Sequence, residues 1–258
     1  MKHAKILSAL GLMAVAGAAN AGVTSTWTVA TDYDFRGISQ NAKDPVIQAS
    51  LDYAHSSGAY AGLWVSTVDF ADNEDPANGG NQNPKSQEWL HLERDVYAGF
   101  ASKFAEDFNY DLGAVYYTYN DNDRNFAEAY ASLAYKSWVK AKVFYAPDFR
   151  GRTTPGQTSA YAASLDGTLP LSKSGFSILA HAGYNGGEYW HKTPGDTKSK
   201  SFAYVDYSAG VGYVMGKLNW ALKYVDTTTT TSKGNRVTSD FMNNENRVIL
   251  SVATTFPW

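Results

Sequence analysis

The sequence predicts an all-β protein: a transmembrane antiparallel β-barrel of about twelve strands, with short periplasmic turns and long extracellular loops. Three observations carry this. Apolar residues recur at every second position in about twelve segments. Short turns alternate with long polar connections. The chain finishes R-V-I-L-S-V-A-T-T-F-P-W, with Val248, Leu250, Val252, Thr254, Phe256 and Trp258 on one parity.

The first residues are a separate element. Met1, Lys2 and Lys5 flank an apolar run, I-L-S-A-L-G-L-M-A-V-A-G-A-A. At about 14 residues it is too short to span a bilayer, which takes about 20. With Ala19-Asn20-Ala21 as a small-x-small cleavage pattern, residues 1–21 read as a cleaved secretory signal peptide. Residues 22–258 then form a single barrel domain. Without Lys2 and Lys5, the net charge of −3 becomes −5.

The first alternating segment, T-S-T-W-T-V-A-T-D-Y-D-F-R, sets Trp27, Val29, Thr31, Tyr33 and Phe35 against Thr28, Ala30, Asp32, Asp34 and Arg36. In the second, Ile47, Ala49, Leu51 and Tyr53 oppose Gln48, Ser50 and Asp52. The third, roughly 58–70, is apolar on both parities and leaves its faces unassigned. The fourth sets Leu90, Leu92, Val96, Ala98 and Phe100 against His91, Glu93, Asp95, Tyr97 and Gly99. Arg94 interrupts its apolar face and is expected near the outer rim or at a subunit contact, because a midplane arginine facing lipid costs about 2–4 kcal/mol.

The pattern continues with Tyr110, Leu112, Ala114 and Tyr116 against Asp111 and Gly113, then Ala129, Ala131, Leu133 and Tyr135 against Glu128, Tyr130 and Ser132. Val139, Ala141, Val143 and Tyr145 oppose Lys140 and Lys142. Tyr161, Ala163 and Leu165 oppose Ser164 and Asp166. Phe176, Ile178, Ala180, Ala182 and Tyr184 oppose Ser177, His181 and Gly183. Val205, Tyr207, Ala209, Val211 and Tyr213 oppose Asp206, Ser208, Gly210 and Gly212. Leu218, Trp220, Leu222 and Tyr224 oppose Asn219 and Lys223, and the closing strand follows.

Long polar connections near 71–87, 187–200 and 227–244 follow odd strands; short ones at 55–58, 136–137 and 215–216 follow even strands. Outer-membrane barrels share that asymmetry. Lipid leaves no water to satisfy an open sheet edge, so the last strand must pair with the first. Pro257 lacks a ladder donor, so pairing is expected to fray at the last residue. The ending also resembles the C-terminal aromatic signature that the barrel assembly machinery reads.

Composition narrows the function. Lys+Arg number 22 against 25 Asp+Glu, which gives nucleic acid no basic surface. The chain has no cysteine, which excludes disulfides and thiol chemistry. A mean hydropathy of −0.36 suits a barrel whose strands are half polar.

Several stretches resemble the TorF-like porins, a family of small Gram-negative outer-membrane proteins. They are T-D-Y-D-F-R-G-I-S-Q (31–40), D-P-V-I-Q-A-S-L-D-Y-A-H-S-S-G-A-Y-A-G-L-W-V-S-T-V-D-F (44–70), V-Y-A-G-F (96–100), Y-D-L-G-A-V-Y-Y-T-Y (110–119) and E-A-Y-A-S-L-A-Y (128–135). The resemblance covers the chain to about residue 150 and implies an outer-membrane pore, without catalytic or binding residues.

If the polar parity faces inward, the pore is lined by Asp32, Asp34, Arg36, Asp52, Glu93, Asp95, Asp111, Glu128, Lys140, Lys142, Asp206, Lys223 and Arg247. Asp166 and Lys136 complete a tally of nine acids and six bases. This implies a porin-like channel for passive diffusion of small hydrophilic solutes or ions, weakly cation-preferring because charged rings set selectivity. The alternative is a non-conducting structural or adhesin-type barrel acting through its loops. A lipid hydrolase would need a base-activated serine; His55 and Ser57 in A-H-S-S-G share a face but lack an evident third group, so no enzyme is expected. His91 and Glu93 are too few for a metal, and D-N-E-D-P and N-D-N-D-R-N lack EF-hand order, so no cofactor is expected. The expected partners are outer-membrane lipid, the barrel assembly machinery, small hydrophilic solutes and further copies of the chain.

Overall fold

The structure is a computed structural model that describes residues 21–69, 91–120, 125–151, 158–190, 203–228 and 244–257. Residues 1–20 of the expected signal peptide, the D-N-E-D-P segment, most of N-D-N-D-R-N, and Trp258 lie outside the described residues.

Twelve antiparallel strands close into a barrel. They are β1 (Gly22–Ala30), β4 (Val46–Ala54), β5 (Ala59–Val68), β6 (His91–Lys103), β7 (Phe108–Tyr119) and β8 (Phe126–Tyr135), then β9 (Val139–Ala146), β10 (Ala160–Pro170), β11 (Phe176–Gly186), β12 (Tyr204–Met215), β13 (Leu218–Thr227) and β14 (Arg247–Phe256). Two further short strands, β2 (Asp34–Phe35) and β3 (Ile38–Ser39), form a separate hairpin. Each barrel strand pairs with its sequence neighbours, and β14 closes on β1 from Ser25↔Phe256 to Ala30↔Ser251. The ladder ends at Phe256, one residue before Pro257, which has no N–H to continue it.

The barrel is turned inside out relative to a water-soluble sandwich. Val248 is 61% exposed, Ile47 57% and Leu112 52%, and all point outward. So large an apolar surface has no place in water and marks a membrane-facing belt. Buried residues instead face the lumen: Tyr97, Val115, Tyr117, Phe126 and Glu128 are among them. The unassigned strand now has faces: in β5, Tyr60, Trp64, Ser66 and Val68 turn inward, and Leu63 outward. Arg94 faces outward three residues from the long-loop end of β6, where its Nη2 donates to Asn120 Oδ1 at 2.7 Å. A rim arginine costs only about 0–1 kcal/mol.

The first strand departs from the expected one. It stops at Ala30 instead of running to Arg36. Residues 31–45 then fold back into the barrel, so Tyr33 is buried inside and Phe35 packs there too, neither facing lipid as the alternation suggested. Arg36 and Gly37 both have positive φ, 53° and 82°, and close β2 on β3 as a two-residue turn of the I′ kind. Gly37 has no alternative: a Cβ would overlap Thr227 and come within 2.7 Å of the Asp206 Cβ.

Candidate functional site

The lumen is the site, and the inward segment 31–45 is its main obstacle. At its base, the Arg247 guanidinium of β14 donates to Asp32 and Asp34, and the same side chain reaches the turn, its Nη1 donating to the Gly37 carbonyl at 3.0 Å. At its tip, Arg36 Nη2 donates to Glu128 Oε1 of β8 at 2.7 Å, while the guanidinium lies 4.2 Å from the Phe144 ring centre. In the closed order β8 and β14 stand six places apart in a ring of twelve, so the segment straps the barrel across its full diameter. Between the anchors, Tyr33 donates to Glu93 Oε1 at 3.1 Å and packs on Trp64, and Phe35 meets Tyr117 edge-on. The Tyr204 hydroxyl donates to the Arg36 carbonyl at 3.0 Å. Around the strap an aromatic cluster of Tyr117, Phe126, Phe149, Trp190 and Tyr204 fills the long-loop half of the lumen.

The short-turn half is built differently. Tyr60 on β5 faces Gly99 on β6, Tyr97 on β6 faces Gly62 on β5, and Tyr130 on β8 faces Gly113 on β7. Each ring lies where the glycine has no side chain, so the tyrosines lie flat against the wall. Their hydroxyls end on carboxylates: Tyr97 donates to Asp52, and Tyr60 to Asp111 at 2.5 Å, with Tyr130 bonded to Tyr60. Lys142 Nζ sits 4.1 Å over the Tyr130 ring.

The charges divide by wall. On the adjacent strands β4 to β8 the buried or half-buried inward charges are all acidic: Asp52, Glu93, Asp95, Asp111 and Glu128. On β9 to β14 the inward cations are Lys140, Lys142, Lys223 and Arg247, with Asp166 and Asp206 both held by His181. Its Nδ1 lies 2.7 Å from Asp166 and its Nε2 2.6 Å from Asp206, and only an imidazolium supplies two N–H donors. Gly183 leaves the room in which the Asp206 carboxylate lies.

Of the residues the sequence placed in the lumen, Asp52, Glu93, Asp95, Asp111, Glu128, Lys140, Lys142, Asp206, Lys223 and Arg247 point inward from barrel strands. Asp32, Asp34 and Arg36 are inside as well, but on the strap and not on a wall. Lys136 is not inside. It sits exposed in the turn after β8, 3.4 Å from Asp107, and its bond to Tyr135 and that carboxylate hold its ammonium above the ordinary lysine range. Arg150 takes its place in the lumen: outside any alternating segment, it reaches in from the loop after β9 to Gln40 Oε1 at 3.2 Å. His55 Nδ1 and Ser57 Oγ lie 2.9 Å apart in an exposed turn, with no carboxylate bonded to His55 among the described residues. Among those residues no group of three His, Cys, Asp or Glu is placed to hold a metal.

No curated protein matches the chain in sequence. Among solved structures it is similar to the KdgM porin, at 10% identity and a TM-score of 0.52, covering 91% of this chain and 99% of that one. It is equally similar to the KdgM porin in complex with disordered oligogalacturonate, at 9% identity and a TM-score of 0.52 over 92% of this chain and all of that one. The NanC porin follows with 8% identity and a TM-score of 0.48, covering 92% of this chain and all of that one. The two KdgM likenesses give the fold, that of an outer-membrane porin barrel, and do not carry the TorF-like label. A family model matches residues 14–256, so the chain belongs to the family described as a bacterial protein of unknown function, Gcw_chp.

Proposed function

We propose that the protein is an outer-membrane channel for passive diffusion of small hydrophilic solutes or ions, narrowed by the strap and weakly cation-preferring. The observation that carries this is the density of ionisable side chains lining the lumen. Burying so many charges is costly, and an interior built only to be closed is more stable when apolar. With Arg150 in place of Lys136 the lumen keeps nine acids against six Lys and Arg and the His181 imidazolium, and the remaining excess of acids favours cations. The KdgM porin holds an acidic oligosaccharide; the five carboxylates on β4 to β8 argue against a polyanion here. Export by the signal peptide, insertion by the barrel assembly machinery and association of further copies in the lipid belong to the same reading.

A second reading, a non-conducting barrel that acts through its loops, draws on the aromatic cluster packed around the strap. Planar-bilayer recording of the purified protein separates the two. The channel reading expects discrete steps with a reversal potential on the cation side, and larger steps for Arg36→Ala. Silence from both proteins overturns it in favour of the closed barrel.

A further inference from the structure

Resting on the channel reading, we propose that the lumen selects small zwitterions, solutes with an ammonium and a carboxylate group, over neutral solutes of the same size. The two arcs of opposite charge form a field directed across the pore instead of along it. A lone cation or anion is drawn to one wall and repelled by the other, whereas a zwitterion satisfies both at once.

Two further observations point to a ligand of this kind. Glu93 Oε2 and Asp95 Oδ1 are buried without a hydrogen-bond partner, on residues 1% and 4% exposed. Such oxygens are high-cost acceptors awaiting a donor. The strap itself obeys the same polarity: its cation, Arg36, seats on Glu128 of the acidic arc, and its carboxylates, Asp32 and Asp34, seat on Arg247 of the other. The strap is thus held as a zwitterion would be. A solute ammonium turns to Glu93 and Asp95, and its carboxylate to Lys142 or, further round the wall, to Lys223, neither of which makes an ion pair among the described residues.

The test is solute entry into liposomes holding the purified full chain, with serine as the zwitterion and erythritol as the neutral partner of similar size. Serine is expected to enter about fivefold faster, the gain of one partly solvated ion pair. Glu93→Gln with Asp95→Asn should bring the ratio towards one, and Lys142→Met on the opposite arc should lower it independently. Lys136→Gln, outside the lumen, should leave it unchanged. Equal entry of the two solutes into the parent, or a ratio indifferent to both arc variants, overturns the inference while erythritol entry still upholds the channel. Entry of neither solute overturns the channel reading and this inference with it.

Discussion

The two halves of the lumen are filled by different means. At the short-turn end the wall fills itself: tyrosines from β5, β6 and β8 lie over glycines of the adjacent strand, with Tyr60 and Tyr97 tied to carboxylates and Tyr130 to Tyr60. At the long-loop end the filling is brought in by the strap, held by ion pairs to walls on opposite sides of the ring. The first arrangement belongs to the sheet and falls only with it. The second is attached to the sheet and can come off while the barrel stands.

That contrast can be broken in a definite order. Arg247→Ala should have the largest effect. It leaves Asp32 and Asp34 buried without their guanidinium, a loss of about 3–5 kcal/mol for a broken buried pair. The strap should release, which trypsin cleavage after Arg36 would report, while unheated samples of variant and parent should migrate alike on gels. Gly99→Val should act on the other half. Its Cβ would stand 2.5 Å from the Leu112 carbonyl and overlap Tyr60, an overpacking cost of about 1–3 kcal/mol. Urea unfolding in lipid should shift with no gain in trypsin cleavage. Should Gly99→Val release the strap, or Arg247→Ala unfold the sheet, the two halves are one unit and the contrast fails.

Smaller effects sharpen it. Arg36→Lys keeps the charge but loses the planar group stacked on Phe144, so tip-end release should be weaker than for Arg247→Ala by the same cleavage assay. His181→Gln removes the cation between Asp166 and Asp206, so the reversal potential should move further to the cation side without strap release. Lys136→Gln, in an exposed turn, should change neither cleavage nor selectivity.

Most of the barrel was legible because lipid and lumen impose opposite demands on alternate residues. Ile47, Leu51 and Tyr53 against Gln48, Ser50 and Asp52 could have only one orientation. The faces of β5 were not legible, because Tyr60 and Trp64 point inward and are as apolar as Leu63, which points out. The inward set of strand residues followed from parity alone. The strap did not. T-D-Y-D-F-R alternates as cleanly as any strand, and the only local sign of a reversal is Gly37, whose meaning depends on Thr227 and Asp206 far along the chain. The split of charge between two arcs was equally hidden. It was written in the order of Asp52, Glu93, Asp95, Asp111 and Glu128 before the first inward lysine of a strand, but a total of charges carries no position.

The diametric anchoring of the strap has a consequence for biogenesis. Its base is gripped from β14, the strand that seals the circle against β1. A half-built sheet therefore offers the tip its contacts on β6 to β8 but gives the base no grip, and the latch is complete only in a finished ring. Wall precedes gate in the order of assembly, and a protease probing the interior during insertion would time the moment of closure.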